Sequence, residues 1–165
     1  MRLLKLNKIY VLVAFLLVII SGCKDNSYSA YYDKPLIEWE SYLSTITEQE
    51  QINLENTVLL VLKSSECSPA LAELSWWNSF IQDQKNIKVK LIIIEKYATT
   101  ARVLLNQENI TIPSNRDSTA DILEKDLLPS TPMKIYFDEK GNIVNIKSIG
   151  TTANEKEFTD LLKYQ

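Results

Sequence analysis

TVLLVLKSSECSPALAELSWWNSF, residues Thr57–Phe80, changes character twice along its length. Thr57–Leu62 is an apolar run too brief for a helix and β-branched at its start, which reads as a buried central strand. Lys63–Cys67 is a polar turn. Pro69 suits the first turn of a helix, where its missing N–H costs nothing. Leu71, Leu74, Trp77 or Asn78, and Ile81 then recur at helical steps as far as Gln82. A buried strand that turns directly into a helix sets the cysteine of the turn at the helix N-terminus. Three residues on, Ala70 stands where a second thiol would complete a redox pair.

The flanking sequence extends this pattern in both directions. Upstream, Pro35 opens a stripe of Leu36, Trp39, Leu43 and Ile46 at three- and four-residue steps, with Glu38, Glu40 and Ser41 off it. Downstream, Ile87–Glu95 reads as a second strand and Thr99–Gln107 as a short helix. Asn109–Pro113 (NITIP) alternates like a short strand, and Ser118 is placed to cap a helix over Thr119–Leu127 with Asp121 in its first turn. Met133–Phe137 and Ile143–Ser148 form a hairpin about Asp138–Asn142, where Gly141 supplies the positive φ of the turn. Asn154–Tyr164 closes the chain as an amphipathic helix with Phe158, Leu161 and Leu162 inward. Trp76 and Trp77 are neighbours and face different sides: one belongs to the core, the other to a helix rim or a partner contact. Helices alternating with strands imply an α/β domain, a mixed sheet with parallel pairs covered on both faces.

The N-terminal segment is of a different kind. Arg2, Lys5 and Lys8 precede the unbroken apolar run Ile9–Ile20. That run is short for a membrane span, which takes about 20 residues, and it matches the core of a signal peptide. Ile20-Ser21-Gly22-Cys23 follows and resembles the bacterial lipobox. The resemblance implies cleavage before Cys23 and acylation of its thiol and new amino group, with palmitate among the expected chains. An uncleaved anchor and an ordinary signal peptide are the alternatives. The expected organisation is a lipoprotein signal peptide over 1–22, a polar tether with three tyrosines over 23–35, and one domain over 36–165. Lys24-Asp25-Asn26 loosely resembles sorting signals of some surface-exposed lipoproteins. The expected location is therefore the cell envelope: the periplasm-facing side of the inner or outer membrane, or the cell surface.

Composition narrows the chemistry. Cys23 and Cys67 are the only cysteines, so a lipid on Cys23 leaves Cys67 without an intramolecular partner in an oxidising compartment. The chain has no histidine, which excludes His-based metal sites and Ser-His or Cys-His catalysis. No metal or other cofactor is expected. A net charge of −3 provides no basic footprint for nucleic acid.

The element order, with a cysteine at the first strand-to-helix turn, resembles the thioredoxin superfamily, and more closely the periplasmic TlpA-like thiol–disulfide oxidoreductases. Those carry C-x-x-C-x-x-E; the matching residues here are Cys67-Ser68-Pro69-Ala70-Leu71-Ala72-Glu73, with alanine at the second cysteine. A cis-proline and a hairpin with Asp and Gly in its turn complete the family pattern, and Ser130-Thr131-Pro132-Met133 through Asp138-Glu139-Lys140-Gly141 fits it. Ala98–Leu128 stands where such proteins carry an extra strand and helix. The likeness runs from about Leu36 to the C-terminus. It implies a thioredoxin-like α/β fold with that strand-helix insert before the cis-proline strand. It also implies Cys67 and Glu73 as the catalytic pair, and a cis Thr131–Pro132 bond whose backbone receives an extended substrate. An ordinary trans proline and a surface carboxylate at Glu73 are the alternatives. Pro129 lies too early for the register.

Exposed N–H groups at a helix N-terminus favour a thiolate, whereas the neighbouring Glu66 opposes a second negative charge. Three functions compete. A monothiol oxidoreductase or isomerase would act through Cys67 on envelope proteins that carry thiols or disulfides, with a thiol from outside the chain resolving the mixed disulfide. A peroxidase would need P-x-x-x-T/S-x-x-C, of which Ser64 is present but Leu60 holds the proline position; it also needs an activating arginine, and beyond residue 23 only Arg102 and Arg116 exist. A non-catalytic binding or assembly module, lipid-tethered to the bilayer, is the third.

Overall fold

The structure, a computed structural model, describes residues 28–47, 53–83 and 87–150. Cys23, the signal segment and the expected helix at Asn154–Tyr164 lie outside these residues. In chain order the elements are α1 (Ser29–Tyr32), α2 (Leu36–Ile46), β1 (Thr57–Lys63), α3 (Ser68–Asp83), β2 (Lys88–Ile94), α4 (Ala98–Gln107), β3 (Ser114–Asp117), α5 (Asp121–Glu124), β4 (Met133–Phe137) and β5 (Ile143–Ser148). The strands form one sheet in the order β3-β2-β1-β4-β5. β2 runs parallel to β1 and β3 parallel to β2, while β4 is antiparallel to both β1 and β5.

β1 occupies the centre of this sheet, so both its edges are paired and both its faces covered. That is why Thr57–Leu62 is buried without a break. Strand alternation sorts its residues between two cores. Leu59 and Val61, with Ile92, Met133 and Ile135, pack on Trp39, Tyr42 and Leu43 of α2. Val58, Leu60 and Leu62, with Leu91, Ile93 and Tyr136, pack on Ala70, Leu74 and Trp77 of α3 and on α4. Burying each such Leu side chain is worth roughly 1.5–3 kcal/mol relative to exposure, so α3 is held tightly beneath its own N-terminal turn. Among the described residues no helix is long and apolar enough to cross a membrane.

Two segments depart from expectation. Asn109–Pro113 forms no strand, because Asn78 on α3 satisfies its backbone: the Asn78 side chain accepts from Thr111 N–H (2.6 Å) and Ile112 N–H (3.2 Å) and donates to Asn109 O (3.1 Å). Bonding to β2 begins at the Pro113 carbonyl, which accepts from Leu91 N–H (3.0 Å), and strand register runs from Ser114. Helix Thr119–Leu127 shrinks to the four residues of α5, and Ser118 does not cap it. The fully buried Asp117 instead collects the N–H groups of Thr119, Asp121 and Ile122 and the hydroxyl of Tyr42 (3.0 Å). Burial and the Asp117 charge push the Tyr42 hydroxyl far above the usual tyrosine range.

Residues 28–35, part of the expected tether, are folded onto the domain. Tyr32 caps the edge of β5, the outer strand among the described residues, donating to Asn145 Oδ1 (3.3 Å) and accepting from Ile146 N–H (3.1 Å). Tyr28 meets the Ser148 hydroxyl at 3.4 Å. Tyr31 and Lys34 both bond the carboxylate of Asp126.

Candidate functional site

Cys67 follows the turn that leaves β1 and precedes α3, and it is exposed. Its carbonyl accepts from Ala70 N–H (3.0 Å) and Leu71 N–H (3.3 Å), so it closes the first turn of the helix as its N-terminal boundary residue. Pro69 sits within that turn without loss, as its sequence position suggested. Glu66 folds back on the turn: its N–H donates to Lys63 O and its carboxylate accepts from Lys63 N–H (3.3 Å). That bond turns the Glu66 charge toward backbone donors.

The bond between Thr131 and Pro132 is cis. Register places it: Met133 pairs with Val61 near the C-terminal end of β1, so Thr131-Pro132 lies at the sheet end from which the Cys67 turn projects. The structure therefore gathers Cys67, Thr131 and Pro132 at one end of the sheet.

Glu73, six residues after Cys67 on α3, is not a surface carboxylate. It shares the inward stripe of Ala70, Leu74 and Trp77, with 4 % of its side chain exposed. Three donors converge on it. Lys134 Nζ binds Oε1 at 2.7 Å, Trp77 Nε1 donates to Oε1 at 3.2 Å, and Gly150 N–H donates to Oε2. Lys134, on β4 opposite Leu60, has 0 % exposure. A buried charge on each side is tolerable only because the two are in contact and further hydrogen-bonded.

Gly150 links this pair to the thiol turn. Its φ is +97°, and a Cβ built there would lie 3.4 Å from the Pro69 Cβ and 3.5 Å from the Ala70 N. The chain leaving β5 thus crosses the Pro69-Ala70 peptide and seals Ala70, which is 0 % exposed. Lys134 and Gly150 were missed by sequence reasoning. The available signal for Lys134 was a lysine inside Met-Lys-Ile-Tyr-Phe: in a strand flanked on both sides and covered on both faces, a lysine must find a buried carboxylate.

A second polar group stands at the same end of the sheet. The Ser64 hydroxyl donates to Glu95 just past β2, and Tyr97 N–H donates to the same carboxylate at 2.9 Å. The Ser64 bond foremost, then the Tyr97 N–H, holds the Glu95 carboxyl below its usual range. Arg116 donates to the carbonyls of Glu95 (3.0 Å) and Lys96 (2.8 Å), while Arg102 is exposed on α4. Arg116 is thus engaged by backbone carbonyls beyond β2. Trp77 is the core tryptophan, and Trp76 stacks on Phe80 at 4.9 Å on the helix rim. Among the described residues no cluster of His, Cys, Asp and Glu is arranged to hold a metal ion.

No family profile matches the chain. No curated protein matches it either. Solved structures do match, 102 chains in all. A thiol-disulfide isomerase from Corynebacterium glutamicum superposes with a TM-score of 0.58 at 15 % identity, covering 72 % of this chain and 90 % of its own. A thiol-disulfide oxidoreductase from Bacteroides fragilis gives 0.57 at 16 % identity, with 72 % and 87 % covered. A secreted disulfide oxidoreductase from Mycobacterium tuberculosis, homologous to E. coli DsbE, gives 0.55 at 14 % identity, with 68 % and 84 % covered. At these identities the likeness is one of fold: the mixed five-stranded sheet with flanking helices is thioredoxin-like.

Proposed function

We propose that this thioredoxin-like chain is a cell-envelope monothiol that exchanges disulfides through Cys67. The observation that carries the reading is the meeting, at one end of the sheet, of an exposed cysteine at a helix N-terminus and a cis Thr131–Pro132 bond. The reaction needs no cofactor. The Cys67 thiolate attacks one sulfur of a substrate disulfide, a Cys67–substrate disulfide forms, and the second substrate sulfur leaves as a thiolate. A thiolate from a small molecule, a partner protein or the substrate itself then attacks the mixed disulfide and releases Cys67 as it began. Disulfides are rearranged, and the chain undergoes no net oxidation or reduction. Ala70 provides no sulfur to do the second step internally. Thr131 and Pro132 would present backbone groups to an extended substrate strand. The names of the matched proteins, thiol-disulfide isomerase and oxidoreductase among them, support this chemistry, and the secreted relative supports an extracytoplasmic location. The lipobox-like Ile20–Cys23 would supply the anchor.

The competing reading, a non-catalytic module, is favoured by Glu73: three donors already bind its carboxylate, which ties it to Lys134, Trp77 and Gly150 and leaves at most one of its four acceptor positions for moving a proton at Cys67. Alkylation kinetics separate the two. An exchange-competent Cys67 is modified faster at neutral pH in the folded chain than in the urea-unfolded chain, and Cys67-dependent adducts appear on non-reducing gels of the cell envelope. Slower modification when folded, with the same gel pattern for Cys67→Ser, would leave only the binding module.

A further inference from the structure

The N-terminal tyrosines determine which end of the domain the anchor reaches. Tyr28 contacts Ser148, the last residue of β5, whereas Tyr32 contacts Asn145 and Ile146 further back. From Tyr28 to Tyr32 the chain therefore runs away from the C-terminal end of β5. β5 is antiparallel to β4, which is antiparallel to β1, so that end is also the C-terminal end of β1. Ser148 pairs with Met133, next to Pro132, and Gly150 lies against Pro69 and Ala70. Everything before Tyr28 thus joins the domain at the end that carries Cys67.

Cys23 lies five residues before Tyr28. Five residues span at most roughly 17 Å when fully extended. The opposite end of the domain, the Asp138–Asn142 turn, is a further six-residue strand away, about 20 Å. A lipid on Cys23 can bring the Cys67 end to the bilayer surface and leave the hairpin turn remote from it. The same end carries Tyr97, 60 % exposed, with the Lys96 ammonium 5.7 Å from its ring centre. An exposed aromatic beside a cation suits the headgroup layer, where an amphipathic ring and a lysine stem both find a partner.

We infer that the anchored chain stands on the membrane with its Cys67 end toward the lipid, so that its substrates are thiols and disulfides of membrane-bound proteins close to the bilayer surface. The substrate class rests on the exchange chemistry proposed above, and the orientation on the Cys23 anchor proposed there but not on that chemistry. Acylation of Cys23 leaves Cys67 as the single free thiol, which makes the test direct. Full-length acylated chain is placed in vesicles whose headgroups carry an energy acceptor, with a donor dye on Cys67 or, in Cys67→Ser/Lys140→Cys, at the hairpin turn. The expected result is strong transfer from the Cys67 dye and weak transfer from the Lys140→Cys dye, a difference that shrinks when Tyr28 and Tyr32 are both changed to Ala. Equal transfer, stronger transfer from the hairpin, or a mass spectrum without acyl chains on Cys23 overturns the inference. None of these readouts requires disulfide exchange. Loss of exchange chemistry would leave the orientation standing, and a wrong orientation would leave Cys67 reactivity standing.

Discussion

Lys134→Met would remove the ammonium that lies 2.7 Å from Glu73 while keeping much of the side-chain volume. The Glu73 carboxylate would remain nearly fully buried, with Trp77 Nε1 and Gly150 N–H still on it but without its counter-charge. Breaking a buried pair from one side costs about 3–5 kcal/mol, because the surviving charge cannot return to water. For a domain of this size that lowers Tm on the order of 10–20 °C. Glu73→Leu strands the lysine in the same way and should cost a comparable amount. The double variant Glu73→Leu/Lys134→Met removes both charges and fills the space with apolar atoms, so it should return close to wild-type stability or exceed it. Urea unfolding of the four proteins, read by circular dichroism, closes the double-mutant cycle. Single-variant costs below about 1 kcal/mol, the range of an exposed ion pair, would refute the argument. So would a double variant whose loss equals the sum of the singles.

Ala70→Cys should recreate a dithiol. Residues three apart on a helical turn have Cα atoms about 5 Å apart, within the 4.4–6.8 Å that a disulfide tolerates. After mild oxidation both thiols should resist alkylation, and a mixed disulfide on Cys67 should be released without added thiol; two free thiols after oxidation would count against the geometry. Asp138 gives a pH-dependent outcome. Burial pushes its carboxyl up, but hydrogen bonds from the Asn142 side chain and from the N–H groups of Asn142 and Lys140 outweigh this and hold it below the usual range. A depressed folded-state value contributes stability above the unfolded value, about 3.9, and that contribution disappears as pH falls through the folded one. Asp138→Asn should therefore be less stable than wild type at pH 7, with the gap closing toward pH 3; a gap constant with pH would show that the charge plays no part.

Much of the fold was legible because the decisive signals are local. The unbroken Thr57–Leu62 run, Pro69 just inside α3 and Gly141 in the hairpin turn, with φ +77°, each report a constraint carried by the residue itself. Cys67 and Pro132 could be placed for the same reason. What escaped depends on side chains that capture backbone groups or charges in ways that composition and periodicity do not show. NITIP has a strand's alternation, yet Asn78 captures its N–H groups first. Thr119–Leu127 has a helix's composition, yet Asp117 draws its opening N–H groups into a compact turn. Glu73 and Lys134 are 61 positions apart: the apolar strand around Lys134 marks its burial, but nothing local names Glu73 as its partner. The Tyr28–Tyr32 clasp on β5 was read as tether, because polar tyrosine-rich sequence also suits a solvated linker.

The central claim is that Cys67 enters and leaves a mixed disulfide using a thiol from outside the chain. Its most direct test is to incubate the folded chain with glutathione disulfide and follow Cys67 by mass spectrometry. The account predicts a glutathione adduct on Cys67, absent from Cys67→Ser, that persists until reduced glutathione is added and then returns the free thiol. A folded chain that forms no adduct, while the unfolded chain forms one readily, would contradict it.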